Sequence, residues 1–550
     1  MGIGDSRPLP PVPKEEDKDI DFNEDTIDVP PPPEPKADPD IRENVEGSTL
    51  YNVENVTTEY TEIKDAIVDK SNATGKTYVY RDQEFPSESI SLYYSSRPPS
   101  RWDTIKWKRP TDISRDPRLL TDGVGSEDIV QGQLGDCWWL ASCAAISRSA
   151  THMKRIIPQD QKMTGPDYVG MFHFRFWRYG KWVDVIVDDQ LPTMNGFLCF
   201  GRSADKNEFW LPLLEKAYAK LHGSYQAIEG GFTQDGMEDL TGGIAINYDL
   251  GRKTPDSLFT ILYKAFRNES FVSAGIGGSG NIEDRFTGLV SAHAYAMLKV
   301  ARAAYEGGYV DLVKFRNPWG GSTEWRGDWS DSSTKWDTMD ESVKRQLGYA
   351  DKDNGEWWMS YDDFTTYFND VTICTVGPDF DADGAPSGDK WLLSTINGEW
   401  KSGVSAGGSR NDIYSYATNP QYLLYLQEAD DYDPDEDSPA EKGKCSVLAG
   451  LMQEYRRSGK EDGLDNLYIS LNIFKVSQPP RTRLDARFFS RNREVATTST
   501  YVNRREVTIT AELDPGYYVI VPSCFNAGDS GTFLIRVFTE KNVDIQDITG

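Results

Sequence analysis

At 550 residues the chain is long enough for roughly two to four domains, each with its own core. A formal net charge of −28 argues against a nucleic-acid partner, because phosphate binding needs a basic surface. Six scattered cysteines (Cys137, Cys143, Cys199, Cys374, Cys445, Cys524) form no CxxC pair and do not read as a disulfide framework. With no cationic leader ahead of an apolar core and no apolar run of the roughly 18 residues that span a bilayer, the expectation is a soluble, cytoplasmic protein.

Residues 1–77 combine proline clusters with excess Asp and Glu and read as a disordered region, with a short helix conceivable only towards its end. Within it, Arg7-Pro-Leu-Pro-Pro-Val-Pro13 places a basic residue ahead of prolines spaced for a polyproline helix, and resembles a ligand for a Src-homology-3 domain. Met1-Gly2-Ile3-Gly4-Asp5-Ser6 fits the N-myristoylation pattern, so acylated Gly2 is one candidate route to membrane association. A single acyl chain anchors only marginally, and the acidic tail offers no polybasic second signal.

From Tyr78 the pattern becomes ordered. Gln131-Gly-Gln-Leu-Gly-Asp-Cys-Trp-Trp-Leu-Ala-Ser142 delivers Cys137 to the start of an apolar helix, with Asp136 at the N-cap and Trp138, Ala141, Ala144 and Ala145 on one face. Unpaired N–H groups and the helix dipole should depress the thiol pKa there. Gln131, six residues upstream, offers an amide that could join the Cys137 N–H in holding an oxyanion. Two later segments, Gly288-Leu-Val-Ser-Ala-His-Ala-Tyr295 and Lys314-Phe-Arg-Asn-Pro-Trp-Gly320, supply His293 as base and Asn317 as its orienting partner. The other histidines, His152, His173 and His222, lack comparable surroundings.

Those three blocks, in that order, resemble the active-site blocks of calpains, papain-like cysteine proteases of the cytosol. The resemblance implies an α+β fold. A two-lobed core would place a helical, cysteine-bearing lobe over 78–235 and a β-rich lobe carrying histidine and asparagine over 236–378. It implies calcium-dependent endopeptidase activity through Cys137, His293 and Asn317, assisted by Gln131. Gly230 and Gly231 match the family's substrate-lining pair, and Trp319 its shield over the His–Asn bond. The resemblance also implies one calcium ion per lobe. The first would use Asp128, Glu215 and carbonyls near Thr121 and Gly123. The second would use Glu324, Asp331, Glu356 and a carbonyl near Lys352, with Asn354 standing where aspartate is usual. Calcium takes six to eight hard oxygen ligands, so scattered carboxylates and loop carbonyls suit it.

Beyond the core, 385–550 breaks into short alternating strands at Trp391-Leu-Leu393, Tyr422–Leu426, Leu467–Leu471, Val507–Thr510, Tyr517–Val521 and Phe533–Val537, the texture of an antiparallel β-sandwich. It resembles the sandwich that follows the calpain core, a second candidate for membrane association. The acidic loop from Glu428 to Asp437 reads as solvated charge. No D-x-D-x-D-G-x5-E loop occurs, so EF-hand pairing with a small subunit is not expected. The alternative reading is a non-proteolytic adaptor that docks partners through the proline-rich tail and sandwich. An intact Cys–His–Asn set with Gln131 favours the enzyme.

Overall fold

A computed structural model describes residues 58–376, 392–432 and 441–549, apart from 122, 252, 253, 256, 322, 461 and 499. Gly2 and the Arg7–Pro13 motif lie outside the described residues. Towards the end of 1–77, where the reading left room for a short helix, Thr58–Thr74 forms one of 17 residues. Tyr60 buries itself at its start and stacks on the His173 ring at 3.9 Å, beside Val169, Met171 and Ile186, so one aromatic and a few aliphatic side chains anchor an otherwise polar segment.

The described residues fold as α+β. The helix Cys137–Ile146 is buried at every position, which puts it at the centre of its lobe rather than on one face. Trp210–Leu221 packs across it, with Trp139 stacked on Tyr218 at 4.9 Å, and Thr233–Thr241 closes the layer. The lobe is less helical than expected, because Met171–Arg178 and Lys181–Asp188 pair as an antiparallel hairpin. Tyr179 and Gly180 join them with φ of 51° and 88°, the two positive values a tight primed turn requires. A small sheet of Lys106–Lys108, Leu191–Met194 and Phe197–Leu198 completes the lobe.

The second lobe is a six-stranded antiparallel sheet ordered Glu356–Ser360, Gly308–Arg316, His293–Tyr305, Phe271–Ile276, Asp370–Thr375, Ile244–Asp249. His293 opens its longest strand, and Asn317 follows the neighbouring strand directly. The two therefore meet at one end of adjacent strands.

The remaining strands make two antiparallel sheets. One is ordered Leu392–Trp400, Gly531–Thr539, Cys445–Gln453, Glu506–Leu513. The other is ordered Ala496–Thr497, Ile469–Val476, Gly516–Cys524, Tyr422–Leu426, Val543–Asp547. Cys445–Gln453 has no alternation to betray it, because both of its faces are covered. Val447, Ala449 and Leu451 face the sandwich core, while Leu448 and Met452 pack with Ile244, Trp177 and Trp182 of the protease lobes. The start of the acidic loop bonds within the sandwich, Asp430 accepting from the Ser446 N–H and Asp431 pairing with Lys541. All six cysteines are free, and no described helix is long and apolar enough to cross a membrane.

Candidate active site

Cys137 sits at the first turn of its buried helix, 8% exposed, at the floor of a cleft of about 470 Å³ that His293 also lines. His293 Nε2 lies 2.8 Å from Asn317 Oδ1. The amide's orientation is set on its other sides. Its Nδ2 donates to the Thr323 carbonyl at 2.9 Å, and its Oδ1 also accepts the Trp319 N–H at 3.0 Å. A carbonyl oxygen can only accept, so Nε2 carries the proton and Nδ1 is left with its lone pair. Nδ1 is buried and has no hydrogen-bond partner among the described residues. Trp319 packs its ring 4.9 Å from the imidazole and covers the bond to Asn317; it does not line the cleft.

The electrostatics of this arrangement depart from the sequence expectation. Burial pushes the Cys137 thiol up to about 11, against the pull of the Ala294 N–H, and the Asp136 carboxylate adds to the rise. Burial also brings His293 down to about 4, against the bond to Asn317. Both partners are therefore neutral near pH 7. Asp136 makes no capping hydrogen bond; its carboxyl is wholly buried, pushed up to about 7 by burial, and interacts with Glu215. Desolvation thus outweighs the helix terminus at Cys137.

Gln131 is buried beside the cleft with its Nε2 donating to the Leu134 carbonyl at 2.7 Å, while its Oε1 has no partner among the described residues. Its N–H must turn from Leu134 before it can meet an oxyanion. The loop carrying Gly230 and Gly231 forms the facing wall. The Gly230 N–H donates to Gly135 O at 2.8 Å, and a Cβ on Gly231 would fall 2.5 Å from the Trp138 ring, so only glycine lets this loop approach the residue after the nucleophile.

The carboxylates expected to bind calcium divide differently. Glu215 does not reach Asp128. It is 1% exposed on an all-round buried helix and accepts from the Gly201 N–H at 2.9 Å. The carboxylate beside Thr121 is Glu208, which accepts the Thr121 N–H at 2.8 Å and feels the charge of Asp128. Its signal was its place in the loop before Trp210, next to the segment of Thr121 and Asp128, although at 2% exposed it is nearly as buried as Glu215. In the second lobe Glu324 accepts the N–H groups of Asn354 and Gly355, and Asp331 accepts that of Lys352 at 3.1 Å. Burial, with Asp331 and Asp353 nearby, pushes Glu324 up to about 7, and burial, with Asp351 and Asp353 nearby, pushes Asp331 up to about 6. Glu356 is turned away, held by Lys314 at 2.7 Å and by the Ser126 hydroxyl at 2.7 Å across the lobes. Asn354 spends its side-chain oxygen on the Glu356 N–H. No three His, Cys, Asp or Glu side chains converge as a ready metal site among the described residues.

Sequence reasoning missed the sandwich's part in the cleft. Arg457 donates to the carbonyls of Gly230 at 2.7 Å and Ala227 at 3.3 Å and stacks 4.5 Å from the Trp138 ring. Lys460 donates to the Glu229 carbonyl at 2.9 Å. Arg504 reaches the cleft itself.

Residues 80–375 match the family model of calpain family cysteine proteases, and 396–538 match that of calpain large subunit, domain III. Calpain-A of Drosophila melanogaster is 41% identical over 503 residues, covering 89% of this chain and 59% of that protein. Calpain clp-1 of Caenorhabditis elegans is 39% identical over 478 residues, covering 86% and 60%. The calpain-1 catalytic subunit of Bos taurus is 40% identical over 479 residues, covering 86% and 66%. The chain thus spans 59% to 66% of the length of these relatives. A protease match over more than half of the chain, followed by the matching sandwich, carries the conclusion: this protein belongs to the calpain family of cysteine proteases.

Proposed function

We propose that this chain is a calcium-dependent intracellular cysteine endopeptidase that makes limited cuts in proteins. The observation that carries the reading is the His293 Nε2–Asn317 Oδ1 bond, which leaves a basic Nδ1 in the cleft that also holds Cys137. In the reaction His293 Nδ1 takes the thiol proton, and the sulfur attacks the peptide carbonyl carbon. The oxyanion is met by the Cys137 N–H and, once turned, by Gln131 Nε2. The C–N bond breaks as the imidazolium gives its proton to the leaving amine. Water then attacks the thioester, its proton passing to His293, and the thiol is regenerated.

Because both groups rest neutral, the reading requires a step that brings them into a reactive pair. The donor set suits calcium, being hard carboxylate and carbonyl oxygen throughout. Glu324 and Asp331 with the loop around Lys352 and Asn354 would hold one ion, and Asp128, Glu208 and the loop at Thr121 the other. The ion supplies charge neutralisation where carboxylates crowd. Six free cysteines suit a reducing interior.

The test is hydrolysis of an unstructured protein across a calcium titration, with Cys137→Ala as control. Expected is turnover that needs calcium and falls at least about 10³-fold without the thiol. Turnover without calcium keeps the protease and removes the calcium assignments. No turnover by folded protein at saturating calcium overturns the reading in favour of an adaptor.

A further inference from the structure

Besides Cys137 and His293, the cleft is lined by Asn247, Thr372 and Asp370 of the second lobe, Phe232 from the glycine loop, and Arg504. Arg504 belongs to the sandwich, on the segment leading into strand Glu506–Leu513. Its guanidinium carbon lies over the Phe232 ring, 3.4 Å from the ring centre. The contact with the ring uses none of its five N–H donors. Among the described residues those donors make no hydrogen bond and no ion pair within 4.0 Å; the side chain is half-buried, and its charge feels the carboxylates of Asp235, Asp370 and Glu238 at longer range.

The neighbouring arginine shows that this is not for want of acceptors nearby. Arg505 spends its donors on Asp239 at 2.8 Å, Glu238 at 2.8 Å and the Asp235 carbonyl at 2.9 Å. The Arg504 carbonyl itself accepts from Gln453 Nε2 at 2.7 Å, which pins the backbone. The segment is therefore held rigidly while one guanidinium is presented to the cleft with its donors unspent. A planar fork of donors, half-buried and lying over a ring, recognises a planar acceptor such as a carboxylate or carboxamide. Asp370, whose carboxylate takes a hydrogen bond from Asn247 and feels the Arg504 charge, adds an acceptor complementary to the NH₂ of an amide.

Resting on the proteolytic reading above, we propose that Arg504 is a specificity-determining residue supplied to the protease cleft by the β-sandwich, selecting substrates with a glutamine or glutamate side chain at the position that meets Phe232 and Asp370. The shared chemistry is the planar acceptor. Glutamine satisfies Arg504 and Asp370 together, whereas glutamate satisfies Arg504 and faces Asp370.

The experiment is positional scanning with fluorogenic peptides carrying Gln, Glu or Leu at each position flanking the cut, comparing wild type, Arg504→Met and Arg504→Lys at saturating calcium. Expected is one position at which wild type prefers Gln or Glu over Leu in kcat/KM, with that preference falling about tenfold in Arg504→Met and only partly recovered by Arg504→Lys. A higher ratio of Gln to Glu that vanishes in Asp370→Asn identifies the amide as the better ligand; the reverse order identifies the carboxylate. A uniform loss across all peptides in Arg504→Met, with no change in any ratio, overturns the proposal and leaves Arg504 a structural clamp on Phe232. Absence of cleavage of every peptide and of unstructured protein by wild type overturns the proteolytic reading, and this inference with it.

Discussion

The seam between sandwich and protease and the cleft between the two protease lobes are both lined with buried polar groups, and they treat them in opposite ways. At the seam, Arg505 binds Asp239, Glu238 and the Asp235 carbonyl, and Arg536 binds Glu506 and the carbonyls of Gly242 and Gly243 at 3.0 Å each. In the cleft His293 Nδ1, and beside it Gln131 Oε1, are buried with no hydrogen-bond partner among the described residues, whereas of the seam's two arginines only Nε of Arg505 is left so. Unsatisfied buried groups cost stability, and a fold retains them where a ligand or transition state will complete them. The seam is thus a stabilising surface, and the cleft a reactive one kept open by it.

Removing one side of the seam should give the largest effect on stability. Arg505→Met leaves Asp239 and Glu238 buried without their cation, a loss of about 3–5 kcal/mol in chemical unfolding. If that variant unfolds at the wild-type denaturant concentration, the seam is not the stabilising surface described. A smaller effect, on turnover, is expected where seam and cleft meet. Arg457→Met frees the Gly230 and Ala227 carbonyls and the Trp138 ring, and should lower kcat/KM about tenfold through KM, with Arg457→Lys recovering part of it and the unfolding midpoint little changed. A fall in stability without a change in KM would assign Arg457 to the seam alone.

The smallest effect tests satisfied charge away from both. His173 lies between Asp184, 2.8 Å from Nδ1, and Asp160, 3.2 Å from Nε2. Burial by itself would lower its pKa, and the bonds to Asp160 and Asp184 outweigh burial and raise it. A histidine with a raised folded pKa contributes stability that is fully present below its unfolded value, about 6.5, and lost as pH rises through the folded value. The unfolding midpoint should therefore decline across that window in wild type and decline less in His173→Asn. Equal slopes would mean that the Asp160–His173–Asp184 contacts do not hold a proton.

Whatever depends on local chemistry and period is legible in the residues alone. Three short blocks name the nucleophile, the base and its orienting amide, because each role demands one residue type beside a particular glycine, strand or turn. Runs of aromatic and branched aliphatic residues marked strands such as Tyr422–Leu426 and Gly516–Cys524, although both are buried along nearly their whole length. Tertiary structure alone decided what depends on desolvation and on contacts distant in sequence. Cys445–Gln453 escaped notice because another domain buries its outer face and erases the alternation. Glu208 rather than Glu215 stands by Asp128 because a helix buried all round cannot send a carboxylate to a surface loop. The Cys137 thiol rises instead of falling because burial is a property of everything packed around it, while the helix terminus that should lower it is readable from a few residues. Arg457 reaches Gly230 across 227 residues, and Arg504 reaches Phe232 from the segment before strand Glu506–Leu513; no local pattern records such neighbours, since the folding of two domains against each other creates them.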